Sequence, residues 1–101
     1  MNQNSDKTAA PSFTPTQGQY LAFIYAYTRL HRRPPAEADM RRYFQVTPPS
    51  VHQMVIALER LGLIEREPGV ARSIQLLIEP EELPILRNPF DQPVKSSVRR
   101  Y

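Results

Sequence analysis

The sequence predicts an α+β domain in which three helices precede a two-stranded β-hairpin. Three observations carry that prediction. Between Thr14 and Leu61, apolar residues recur every three to four positions in successive segments, the spacing of helices with one buried face. After Gly62 the period changes, and "LIERE" and "RSIQLLI" read as strands. The stretch between them, "PGVA", is a turn signal.

The elements follow in order. Residues 1–12 are small, polar and proline-containing, and read as a disordered tail. Helix 1 starts at Thr14, with Thr14 as the N-cap, Pro15 in the first helical position and Gln17 as the capping-box partner. It is expected to run to about Leu30. Tyr20, Phe23, Ile24 and Tyr27 line one stripe, with Leu21 beside it, so the aromatics read as core rather than as a base-stacking platform. "HRRPP" ends the helix, because a residue before proline is pushed out of the α region, which leaves Arg33 extended. Helix 2 spans Ala36 to about Phe44, with Glu37 and Asp39 at the positive end of its dipole, Met40, Tyr43 and Phe44 inward, and Arg41 and Arg42 outward.

Helix 3 opens on Thr47 and the pair Pro48–Pro49 and is expected to reach Leu61. Two prolines are tolerated there because the first-turn N–H groups of a helix have no intrahelical acceptor to lose. Val51, Met54, Val55, Leu58 and Leu61 form the inward face, and Gly62 is the expected C-terminal cap. Strands over Leu63 to Glu67 and Arg72 to Ile78 follow, with Ile74, Leu76 and Ile78 on one side. The folded unit is therefore expected over residues 13–78. Residues 79–101 are a proline-rich tail whose Leu83, Ile85, Leu86 and Phe90 would pack back on the domain or onto a second copy.

Composition narrows the function. The chain of 101 residues fits one small domain with little room for a deep cleft. It has no cysteine, which excludes disulfides, thiol nucleophiles and cysteine-based zinc sites. Two histidines and three scattered glycines offer neither a metal cluster nor a phosphate loop, and no nucleophile–base pair is evident. No enzyme activity and no cofactor are expected. Without a membrane-length apolar run or a signal peptide, the chain reads as cytoplasmic. The net charge is +3, and the excess lies between Thr16 and Ile78, where eight arginines face five acids. A basic folded region points to an anionic partner.

Three helices and a hairpin in this order make a winged helix-turn-helix, with helices 2 and 3 as the helix-turn-helix and the hairpin, residues 63–78, as the wing. The stretches "FTPTQGQYLAFIYAYTRLHRRPPAEADMRRYF", "TPPSVHQMVIALERLGLIE" and "ARSIQLL" resemble the N-terminal DNA-binding domain of the LexA repressor family over about Phe13 to Leu77. Shared features are the Phe-Thr start of helix 1, the Pro34–Pro35 entry to helix 2, the Thr-Pro start of helix 3, the "ALERLGLIE" exit and a strand ending in I-x-L-L. The stretch "SVHQMVIALERLGLIER" is also similar to MarR-type repressors, but the Pro-Pro entry and short length favour the LexA type.

The resemblance implies binding to double-stranded DNA as a transcriptional regulator, most simply a repressor, without the self-cleaving C-terminal domain of that family. Departures from its pattern are Ala36 at a Ser/Thr cap, Pro49 at a polar base-reading position and Ile56 where a basic residue is common, so the target sequence does not carry over. One deletion falls in the turn around Gln45 to Thr47.

A step of 100° per residue places Pro49, Gln53, Ile56 and Arg60 opposite the buried face of helix 3, flanked by Ser50 and His52. A recognition helix over 48–61 would offer this face to the major groove. Gln53 can pair with adenine, His52 can donate to guanine or phosphate, Ser50 can meet a base edge or cap the helix, and Pro49 and Ile56 can touch thymine methyls. Phosphate candidates are Arg32, Arg33, Arg41, Arg42, Thr47, Arg60, Arg66 and Arg72. A homodimer through the C-terminal segment would match a two-fold site. The competing reading is a winged-helix module that binds protein through the same exposed face, motivated by Pro49, Ile56 and the apolar tail.

Overall fold

The computed structural model describes residues 12–89. Helix α1 spans Pro15–His31, α2 Glu37–Phe44 and α3 Pro48–Arg60; strands β1, Ile64–Glu65, and β2, Gln75–Leu76, follow. Each helix begins where side-chain chemistry can satisfy its free N–H groups. At α1 the capping box is complete: the Gln17 N–H donates to Thr14 Oγ1 at 3.1 Å, and the Thr14 N–H donates to Gln17 Oε1 at 2.9 Å. At α2 the cap residue Ala36 has no side-chain acceptor, but Asp39 Oδ2 accepts from the Ala36 N–H at 2.8 Å. One half of a capping box is thus present without the other. At α3, Thr47 is extended (φ −78°, ψ 158°), as a residue before proline must be, and its Oγ1 accepts from the Ser50 N–H at 3.3 Å.

Helix ends are as specific as their starts. Arg32 (φ 63°) closes α1 and Gln45 (φ 57°) closes α2, both in the left-handed region. Residues 45–47 alone then separate α2 from α3, the short turn a helix-turn-helix requires. Helix α3 ends in a Schellman motif: the Gly62 N–H donates to Glu59 O and the Leu63 N–H to Leu58 O, each at 3.0 Å. Gly62 supplies the positive φ, 79°, that this closure needs. Leu58 and Leu63, the two apolar partners of the motif, are both buried. Leu61, expected on the inward face, is instead 54 % exposed. It is the cap residue itself, and the chain has already begun to leave the helix there.

The core is continuous across all elements. Leu21 and Ile24 of α1, Met40 of α2, Val51, Val55 and Leu58 of α3, and Leu63 and Ile64 at the hairpin are fully buried. The aromatics are core, as expected: Tyr20 stacks on Phe44 with ring centroids 4.2 Å apart, and Phe23 packs on Tyr43 at 4.7 Å.

The hairpin is antiparallel, pairing Ile64 with Leu76 and Glu65 with Gln75, and is shorter than the sequence predicts. Ser73 explains the difference. Its hydroxyl accepts the Glu67 N–H at 2.9 Å and donates to Val70 O at 2.8 Å, so the Glu67 amide bonds within the loop instead of across a ladder. Gly69 (φ 76°) and Arg72 (φ 57°) then turn the chain twice between the strands. Ile74 and Ile78 are buried and Leu76 half-buried, the expected one-sided pattern.

Beyond the hairpin, a 3-10 turn at Pro80–Glu82 leads into a strap that returns to the helices. Leu83 and Leu86 pack against the core. Gln19 holds the strap backbone with both ends of its amide, Nε2 donating to Ile85 O at 2.9 Å and Oε1 accepting from the Arg87 N–H at 2.8 Å. The Tyr43 hydroxyl adds a bond to Arg87 O at 2.9 Å. At Gly18, a Cβ would lie 3.0 Å from both Phe13 Cε1 and Pro84 Cγ, so the absence of a side chain lets the strap close over α1. Ile85, expected to pack on the domain or onto a second copy, points outward from the domain and is 85 % exposed. Phe90 and most of the expected N-terminal tail lie outside the described residues. Gln19→Ala is expected to lower stability by about 1–2 kcal/mol, the net worth of two hydrogen bonds. It should also speed hydrogen exchange at the Arg87 amide while leaving exchange in α3 unchanged.

Candidate nucleic-acid interface

The outward side of α3 is a polar strip on a rigid base. Pro49, Ser50, His52 and Gln53 are exposed, while Val51, Val55 and Leu58 of the same helix are buried. Because one side of the helix is fixed in the core, the directions of the other side chains are set to within their own rotamers. Ser50 is further constrained: the Thr47 hydroxyl donates to Ser50 Oγ at 3.1 Å. Ile56 is half-buried rather than fully displayed, and Arg60 is exposed at the far end of the helix.

The helix α2 packs behind this strip. Glu37, in its first turn, reaches His52: Nδ1 lies 3.3 Å from Glu37 Oε2 and 3.4 Å from Oε1. Glu37 and Arg41 line one small recess with Pro48 and Val51, which places Arg41 beside the start of α3. Arg42 is exposed and touches Asp39 Oδ1 at 3.2 Å.

The remaining arginines divide into two groups. Arg32 and Arg33 lie with Arg29 around a groove between α1 and β2 that includes Ile74, Gln75 and Leu76. The structure therefore sets them by the hairpin rather than beside α3. Arg66 and Arg72 are not displayed at the hairpin tip. Arg66 Nε donates to Glu59 Oε1 at 3.0 Å, tying the hairpin to α3. From Arg72, Nη1 reaches Asp39 Oδ2 at 3.0 Å, the Tyr27 hydroxyl at 3.2 Å and Pro34 O at 3.3 Å, joining the hairpin to α1, the α1–α2 loop and α2.

Asp39 is the centre of this second group, with a side chain only 12 % exposed. Burial pushes its carboxyl up, but the Ala36 N–H, the Arg72 charge, Arg42 and the Tyr27 hydroxyl outweigh it and hold the group below the usual carboxylate range. The hydrogen bond to Tyr27 and the charge of Asp39 in turn raise Arg72 against the cost of its own burial. The sequence marks Asp39 only as a first-turn acid. Its partner Arg72 is 33 positions away, and no local pattern announces the pair.

Among the described residues there is no group of three or more histidines or acids that would hold a metal ion, and no helix long and apolar enough to cross a membrane.

A short α2–turn–α3 unit, with one face of α3 buried and the other free, closed by a small antiparallel hairpin, defines a winged helix-turn-helix domain. Sequence comparison makes the assignment specific. The LexA DNA binding domain model matches residues 11–73, and the chain belongs to that family. Among curated relatives, the LexA repressor of Thermosipho africanus is 38 % identical over 72 residues, which is 71 % of this chain and 36 % of the relative. That of Thermosipho melanesiensis is 37 % identical over 70 residues, 69 % of this chain and 35 % of the relative. The LexA repressor of Geobacter metallireducens is 34 % identical over 65 residues, 63 % of this chain and 32 % of the relative. The chain thus spans about a third of the length of these proteins.

Proposed function

We propose that this chain is a sequence-specific double-stranded-DNA-binding domain of a transcriptional repressor, which seats α3 in the major groove and lays the hairpin on the adjacent backbone or minor groove. The observation that carries this reading is the exposed strip Pro49, Ser50, His52 and Gln53 on a helix whose opposite side is locked in the core. A helix held in this way can present base-reading groups in a fixed register. Thr47 at the head of α3, Arg41 of α2 beside it, Arg42 further along α2 and Arg60 at the end of α3 would contact phosphates and fix the docking. Arg32 and Arg33 would meet backbone only where DNA passes the α1–β2 groove. Arg66 and Arg72 contribute chiefly by holding the hairpin.

A protein-docking role for the same face is less well supported, because Ile56, its main apolar feature, is half-buried and so offers little area to a partner. A two-fold site would call for two copies, and among the described residues Ile85 on the strap is the most exposed large apolar side chain available to join them.

The test is selection from a random duplex library, followed by titration of the selected site at several salt concentrations. A symmetric or single half-site consensus is expected, with affinity falling steeply as salt rises. Arg41→Ala should weaken binding to all sequences and reduce the salt slope by about one phosphate contact. Retention of no sequence above the background of an equally charged unrelated protein would overturn the reading.

A further inference from the structure

The pairing of His52 with Glu37 has a chemical consequence for what α3 can read. An ionised carboxylate only accepts hydrogen bonds, so the imidazole nitrogen that faces Glu37 must carry the proton. That nitrogen is Nδ1, at 3.3 and 3.4 Å from the two carboxylate oxygens. In a neutral ring, the other nitrogen, Nε2, is then an acceptor. Two arginines that share a recess with Glu37 are engaged elsewhere. Arg66 and Arg72 line the same recess as Glu37, but each lies 3.0 Å from a different carboxylate, Glu59 and Asp39.

We propose that Glu37 is a positioning residue that fixes the tautomer of His52, and so makes this recognition helix select a base bearing a major-groove amino group. In that groove the hydrogen-bond donors are the adenine N6 and cytosine N4 amines, whereas guanine N7 and O6, adenine N7 and thymine O4 are acceptors. A ring free to adopt either tautomer can donate to guanine. A ring locked by Glu37 turns its lone pair outward and favours adenine or cytosine at the position it meets. The specificity is set from α2, by a residue that need not touch the base itself. The inference rests on the DNA-binding reading above, but its first step concerns the free protein and is measured without DNA.

Nitrogen-15 spectroscopy of the ring at pH 8, where an ordinary imidazole is neutral, reports which nitrogen is protonated. The Nδ1–H form is expected for His52 in the unaltered chain, and the Nε2–H form should gain in Glu37→Ala. Glu37 is a partly exposed first-turn residue, so the variant is expected to fold, and the dispersion of its spectrum checks this directly. Library selection then compares the two proteins. The base opposite His52 should be adenine or cytosine for the unaltered chain, with a preference of about 3- to 10-fold, the worth of a single hydrogen bond. In Glu37→Ala that preference is lost or moves to guanine or thymine.

A ring already in the Nε2–H form in the unaltered chain would overturn the proposal, as would a tautomer change that leaves base preference intact. Failure of both proteins to bind any duplex, with the Nδ1–H form confirmed, would refute the DNA-binding reading and its use of His52 while leaving the Glu37–His52 chemistry established.

Discussion

Replacing Asp39 with alanine is expected to destabilise the fold by about 2–3 kcal/mol, and thereby to lower Tm by roughly 10–20 °C in a domain of this size. The size follows from how many groups converge on one carboxylate. Asp39 accepts from the Ala36 N–H at 2.8 Å, Arg72 at 3.0 Å and Arg42 at 3.2 Å. The first bond caps α2, whose own cap residue is an alanine. The second joins the hairpin to α2. The third is on the surface, where Arg42 is 67 % exposed, and contributes little. Removing the carboxylate frees an N–H at the head of α2 and, among the described residues, leaves the Arg72 guanidinium with Tyr27 and Pro34 as acceptors.

The same site fixes the sign of a pH effect. The folded carboxyl is held below its usual range, so its contribution is complete above the unfolded value, near about pH 4. It is lost as pH falls through the lower folded value. Urea midpoints of the unaltered protein and Asp39→Asn should therefore differ most at pH 6 and converge at acid pH. Equal midpoints at pH 6 would show that the Asp39 charge does not hold α2 and the hairpin together.

How much of this was legible in the sequence depended on the range of the interaction. Helix starts were readable because caps are local: Thr14 with Gln17, and Thr47 before Pro48, act across three residues or fewer. The double proline at the head of α3 was readable for the same reason. The aromatic stripe of α1 was readable because helical periodicity selects a face whatever it packs against. The strand lengths were not, because the length of the ladder depends on the Ser73 hydroxyl capturing the Glu67 amide six residues back, in a stretch that otherwise alternates like a strand. Leu61 matched the helical repeat but falls on the cap, where the repeat no longer sets direction.

The candidate site was legible as a face and not as a network. The exposed strip of α3 follows from its buried side by rotation alone. The bonds of Arg66 to Glu59 and of Arg72 to Asp39, and the hold of Glu37 on His52, join residues 7, 33 and 15 positions apart. A chain with eight arginines and five acids in its folded part allows many such pairings, and only the tertiary arrangement selects among them.

The largest functional effect is expected from the double substitution His52→Ala and Gln53→Ala, which should cut affinity for the selected site about 100-fold and leave non-specific binding nearly unchanged. A well-placed bidentate pair such as glutamine with adenine is worth about 1–3 kcal/mol of base discrimination, and a single imidazole contact adds about 1 kcal/mol more. Glutamine carries no charge and an ordinary imidazole is neutral at pH 8, so in a titration at that pH the salt slope should be the same in both proteins. The fold should also be unaffected, because both side chains are exposed and alanine favours the helix. This separates base reading from docking: loss at the selected site alone identifies α3 as the reader, whereas equal loss on every duplex would mean that these residues only help to seat the helix. No loss on any duplex would move sequence reading off this face. Pro49 sharpens the comparison. It lies in the first turn of α3 beside these residues and has no hydrogen-bonding side chain, so opposite Pro49 itself only shape and apolar contact can discriminate. The half-site recovered for this protein should therefore be most strongly specified opposite Gln53 and His52, and less so opposite Pro49, with thymine favoured there for its methyl group.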